Sequence, residues 1–196
     1  MNFVRLCYRL SYGTGRPAIL KEDESIFRCR LLLQHPLAIE DDMRLVSTVE
    51  LMALREKINN KLAPFDRPVE DQTFDILREA DLEFKNWYAT WDQAFSQKYE
   101  NAGMYLRHHG AFIGLTVHLA FYRQSLQIQH LHAELFHNAT ALREIDGPDD
   151  VRKMHPAQRE LAIRSIQIAQ QGLDVTLNSA AYREGMKYGM SFLNSS

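Results

Sequence analysis

Between Gln72 and Tyr99 the apolar residues Leu77, Ala80, Phe84, Trp87, Trp91 and Ala94 recur at steps of three and four. That beat matches the 3.6-residue turn of an α-helix, and no alternation at every second residue competes with it. Both tryptophans of the protein, Trp87 and Trp91, lie on this stripe. Aromatics at this spacing are ordinary content of a helix-packing face, and that reading outweighs an aromatic cofactor box.

The rest of the chain repeats the pattern, with prolines as punctuation. Acidic residues at Glu40-Asp41-Asp42 suit a helix N-terminus. The helix is expected to run through Leu45, Val49, Met52, Leu54 and Ile58 to Leu62, and to end before Pro64 and Pro68. Residues 103 to 137 read as a second long helical run, with Leu106, Ile113, Val117, Phe121, Leu126, Ile128 and Leu135 as candidate buried positions. A last long helix is expected from Pro156 to about Ser179. Leu161, Ile163, Ile166, Ile168, Ala169, Leu173 and Leu177 make it apolar on a broad face, which predicts a central position.

A shorter helix, capped by Asp23 or Ser25 and carrying Ile26 to Leu33, should end at Pro36. Loop signals concentrate in 138–156, around Asp146-Gly147-Pro148, which predicts a mobile insertion there. Residues 191–196 read as an uncharged tail. No strand period is sustained and no repeat is visible, so the expected fold is all-α: one domain over 1–196, a bundle of long antiparallel helices within a larger helical assembly.

Composition narrows the function classes. The formal charge of −2 and pI near 6.4 carry no basic footprint for nucleic acid. Cys7 and Cys29 are the only cysteines, too few for a zinc or disulfide framework, which suits a reducing compartment. The longest stretch without Asp, Glu, Lys or Arg, His108 to Tyr122, is 15 residues with three histidines. A bilayer span needs about 20 apolar residues, so no membrane helix is expected.

Six histidines, His108, His109, His118, His130, His132 and His137, fall in one helical run. Glu134 and His137 form an E-x-x-H step, the unit that four-helix di-iron sites use twice. No second copy occurs in the chain, and metal binding is the weaker reading. Neither cysteine sits in a catalytic context, and no G-x-S-x-G occurs. No catalytic residue, metal ligand or cofactor-binding residue is assigned, and no cofactor is expected.

The corner Gly13-Thr14-Gly15-Arg16-Pro17 stops any helix within five residues. Pro17 holds Arg16 extended, free to reach a carboxylate or a helix C-terminus. Lacking the lysine and the preceding strand of a phosphate loop, it reads as a structural anchor.

The stretch SYGTGRPAILKEDESI resembles the conserved corner of the fungal-specific transcription factor domain, the middle homology region of fungal zinc-cluster regulators. Gly15-Arg16-Pro17, Ile19-Leu20, Glu22-Asp23-Glu24 and Ile26 carry the likeness. FKNWYATWDQAF resembles the W-x-x-x-W layout of the family. FYRQSLQIQHLHAELFHNATALR and AIRSIQIAQQGL are similar to its next two helices, so agreement spans about residues 8 to 190. The resemblance implies a nuclear regulatory region that modulates transcription through intramolecular, effector or partner contacts, and no enzyme. Its implied partners are a small-molecule effector, a transcriptional co-regulator or a second copy of the chain. DNA would be reached only through a six-cysteine zinc cluster that this chain lacks. The expectation is an internal piece of a regulator or a shortened gene product. A metal-binding helical enzyme using Glu134 and His137, and an interaction module exposing an apolar face, stand as alternatives.

Overall fold

The computed structural model describes residues 26, 28–65, 68–106, 112–143 and 145–179. The Gly15-Arg16-Pro17 corner, the helix-cap candidates Asp23 and Ser25, His108, His109 and the 191–196 tail lie outside these residues. The described chain is helical, with no strand among the described residues. It divides into two compact units, 1–63 and 64–196.

In the first unit, Cys29–Gln34 forms a 3₁₀ turn and Glu40–Leu62 forms helix α1. The short helix expected before Pro36 is a 3₁₀ turn over Cys29–Gln34 and ends ahead of that proline. In the 3₁₀ turn Leu31 and Leu32 are exposed, and so short an apolar run has no face to bury. Helix α1 begins at its acidic signal: the Asp42 carboxylate accepts a hydrogen bond from the Ile39 N–H at 2.8 Å, which satisfies a donor left free by the first turn. Val46, Leu51, Ile58 and Leu62 are buried along it. Arg30 of the turn pairs with Glu50 of α1, Nη2 to Oε2 2.9 Å. Burial, the Glu50 carboxylate adding to it, pushes the Cys29 thiol up.

The second unit is built on helices α2 (Asp71–Leu106), α3 (Phe112–Asn138), α4 (Pro148–Lys153) and α5 (Pro156–Asn178), with a 3₁₀ turn at Ala139–Leu142. Helix α3 packs along both α2 and α5. The α2 face buries Phe74, Leu77, Ala80, Phe84, Trp87, Trp91 and Phe95, the expected stripe with Phe95 in place of Ala94. Helix α2 also runs past Tyr99 to Leu106, through Gly103. One glycine costs a helix only about 1 kcal/mol, too little to break one already held by packing. Among the described side chains of α3 the buried positions are Leu126, His130, Leu131, Ala133, Glu134, His137 and Asn138, while Phe121, Ile128 and Leu135 are half-buried.

Helix α5 has the expected bounds, but its environment differs from the expected central one. Gln158, Ser165 and Ile168 are buried, whereas Ile163, Ile166, Leu173 and Leu177 are exposed. Its start is fixed by reciprocal bonds. The Ala157 N–H donates to His155 Nδ1 at 3.3 Å, and the His155 N–H donates to Gln158 Oε1 at 3.0 Å. Pro156 occupies the first turn, where its missing N–H costs nothing. The His155 ring stacks on Phe74 with centroids 5.4 Å apart, which ties the α5 start to α2. Before it, Arg143 donates to the Thr140 carbonyl at 3.0 Å and to the Phe65 carbonyl, and lies over the Phe65 ring at 5.6 Å.

Candidate functional site

A polar cluster of the second unit lies where α2, α3 and α5 meet. Asp81, Lys85 and Tyr88 fall on one face of α2 at steps of four and three. His130 and Glu134 are four apart on α3, and Arg164 comes from α5. The Arg164 guanidinium pairs with both Asp81 and Glu134, and Lys85 Nζ donates to Asp81 Oδ2 at 2.9 Å. Two cations therefore offset two carboxylates, one of which, Glu134, is buried. Such pairing is what allows a charge to remain inside a helix bundle.

The His130 ring stacks on Tyr88, centroids 5.3 Å apart and planes 13° from parallel. Its Nε2 lies 3.9 Å from Glu134 Oε2, beyond hydrogen-bonding distance. Burial holds the His130 pKa below its ordinary value, opposed by the Asp81 carboxylate and reinforced by Lys85 and Arg164. The ring is thus neutral near pH 7. Burial pushes the Glu134 carboxyl up, against the pull of Arg164. Tyr88 is also raised by burial, with Asp92 adding to it. A cleft of about 330 Å³ opens beside the cluster, lined by Lys85, Tyr88, His130, Glu134, Arg164 and Gln171.

Glu134 and His137, the E-x-x-H step, turn to different partners. Glu134 faces Arg164, while His137 Nδ1 donates to the Ala133 carbonyl at 2.8 Å and its ring packs against Phe84 and Phe136. Both are explained as core groups. Among the described residues no three His, Cys, Asp or Glu side chains converge as a metal site would require. Trp87 and Trp91 are buried in the α2 face, Trp91 against Phe95 at 6.3 Å between centroids. They serve packing. The sequence reading did not identify the Asp81–Arg164–Glu134 cluster. The signal available was the pair of four-residue steps, Asp81–Lys85 and His130–Glu134, each on the polar margin of an apolar stripe.

At the far end of the α2–α3 seam, Arg123 Nη2 donates to Asp92 Oδ2 at 2.8 Å with Nε on the other oxygen, a bidentate clamp. Among the described residues no helix is long and apolar enough to cross a membrane.

One curated relative is the transcriptional activator of proteases prtT of Emericella nidulans, 25% identical over 117 residues, which covers 53% of this chain and 18% of the relative. The chain thus spans under a fifth of that protein's length. No family model matches the chain. No solved structure matches it.

Proposed function

We propose that this chain is a regulatory, effector-responsive helical region of a fungal transcription regulator, acting in the nucleus through intramolecular, ligand or partner contacts. The similarity to a fungal transcriptional activator carries this reading. The helical architecture of the described residues supports it. Zinc-cluster family membership and the implied role of the Gly15-Arg16-Pro17 corner rest on the sequence resemblance. With two cysteines in 196 residues, a six-cysteine zinc cluster would belong to a separate module.

The test is a reporter assay in a fungal host. Residues 1–196 are fused between a heterologous DNA-binding module and an activation domain, and reporter output is compared with the same fusion lacking them. A regulatory region changes output, and Arg164→Ala, which unpairs Glu134, abolishes the change. Output identical with and without residues 1–196 overturns the reading.

A further inference from the structure

His130 is 9% exposed, and its Nε2 makes no hydrogen bond. A bare polar atom at that depth is costly and rare in native folds. Glu134 Oε2 stands 3.9 Å away, one turn along α3, too far for a hydrogen bond. The ring is held there by its stack on Tyr88. The cleft lined by His130, Glu134 and Arg164 gives water a route to the pair. On the other side of Glu134, the hold of Arg164 is uneven. Its Nη2 donates a hydrogen bond to Asp81, whereas Glu134 Oε1 makes none and meets the same nitrogen as a charge. The Arg164 side chain is 36% exposed, against 11% for His130 and 5% for Glu134.

We propose that His130 and Glu134 form an acid-operated latch for α5: one proton taken up by His130 closes the pair and releases Arg164 from Glu134. The groups facing His130 are Asp81, Lys85 and the Tyr88 phenol on α2, Glu134 on α3 and Arg164 on α5. With a neutral ring, two cations balance two carboxylates. An imidazolium carries an N–H at both nitrogens, so Nε2 becomes a charged donor beside Glu134 Oε2. Three cations then share two carboxylates, and the one with a way out to water leaves. His130 and Glu134 are buried, and Lys85 is bound to Asp81. Arg164 can swing outward and keep Asp81 alone, so α3 loses its charged tie to α5. Neither end of α5 depends on that tie. Gln158 Nε2 donates to the Ala141 carbonyl at 3.1 Å, and Ser179 Oγ donates to Gln124. Loosening is therefore confined to the middle turns. Burial, opposed by Asp81 and reinforced by Lys85 and Arg164, holds the His130 pKa below 6.5, so α5 is held near neutrality and loosens as pH falls below that value.

Hydrogen exchange on the 196-residue chain tests the latch, apart from any transcriptional role. Amide rates at about pH 7.5 and about pH 5 are each divided by those of an unstructured peptide. Protection around Arg164 should fall at least about tenfold in acid, while the α2–α3 seam beside Asp92 and Arg123 changes by less than about threefold. His130→Phe keeps a ring against Tyr88 and takes up no proton, so its α5 should stay protected at both values. Glu134→Gln removes the charge that holds Arg164. Its α5 should already be less protected than the parent's at about pH 7.5, with little further change in acid. Circular dichroism establishes that both variants are folded. Equal α5 protection at both values in the parent, or a loss spread evenly over all helices, overturns the proposal. So does acid loosening that persists in His130→Phe, or a Glu134→Gln chain as protected as the parent near neutrality.

Discussion

Arg164 of α5 lies on the buried carboxylate of Glu134 of α3 and holds Asp81 of α2 with the same nitrogen. One guanidinium thus fastens three helices at a point where burial would otherwise expel a charge. Arg164→Ala leaves Glu134 buried without its cation. The cost of breaking a buried pair, about 3 to 5 kcal/mol, is reduced here because the Arg164 side chain is partly open to water. The expected loss is about 2 to 3 kcal/mol, read by urea denaturation. In the double variant Glu134→Gln, Arg164→Met most of that loss should return, since no unpaired carboxylate remains. A double variant as unstable as Arg164→Ala would assign the loss to packing instead.

His130 gives the second unit a pH dependence with a definite sign. Its pKa is lowered on folding, so folding favours the neutral ring. The stability this contributes is fully present above the ordinary histidine value of 6.5. It declines as pH falls below that value towards the folded pKa, because the unfolded chain takes up the proton first. Glu134, raised above 4.5, acts in the opposite sense, losing stability as pH rises through its folded pKa. His130→Phe keeps a ring against Tyr88 and removes the titration. Melting temperature from pH 7.5 to 5.5 should therefore fall more steeply for the parent than for the variant. Equal slopes would place the titration elsewhere.

Gly172 sits inside α5 with nothing within 4 Å of the place a Cβ would occupy. Alanine there meets no neighbour and restricts the unfolded backbone. Gly172→Ala should raise stability by about 0.5 to 1 kcal/mol, seen as a higher urea midpoint at unchanged slope.

Helix existence was legible wherever proline or acidic punctuation met a strong beat, as at Glu40–Leu62 and Pro156–Asn178. The α2 stripe was legible nearly residue by residue because large aromatics occupy it. Three things were not legible, each for a physical reason. The continuation of α2 through Gly103 depends on a small propensity cost outweighed by the rest of the helix. The direction α5 faces could not be read, because Ile163 and Ile168 look equally apolar in sequence and only packing distinguishes them. The ion cluster escaped because Asp81, Glu134 and Arg164 are brought together by tertiary structure alone. Glu134 forms a sequence motif with His137, three residues on, whereas in the fold it pairs with Arg164 of another helix.

Gln158 closes the start of α5 from two sides. Its Oε1 accepts from the His155 N–H at 3.0 Å, and its Nε2 donates to the Ala141 carbonyl at 3.1 Å. Gln158 is buried and Ala141 fully so, leaving that carbonyl no route to water. Gln158→Ala orphans both groups, at a cost of about 2 to 3 kcal/mol. Gln158→Glu is the sharper test. An ionised glutamate still accepts from His155 but turns an acceptor towards the Ala141 carbonyl, so at pH 7 it should destabilise at least as much as alanine. Once protonated it carries a hydroxyl that can donate to Ala141. The glutamate variant should therefore recover stability relative to the alanine variant as pH falls from 7 to 5. Parallel pH profiles for the two would show that the Ala141 carbonyl does not depend on Gln158.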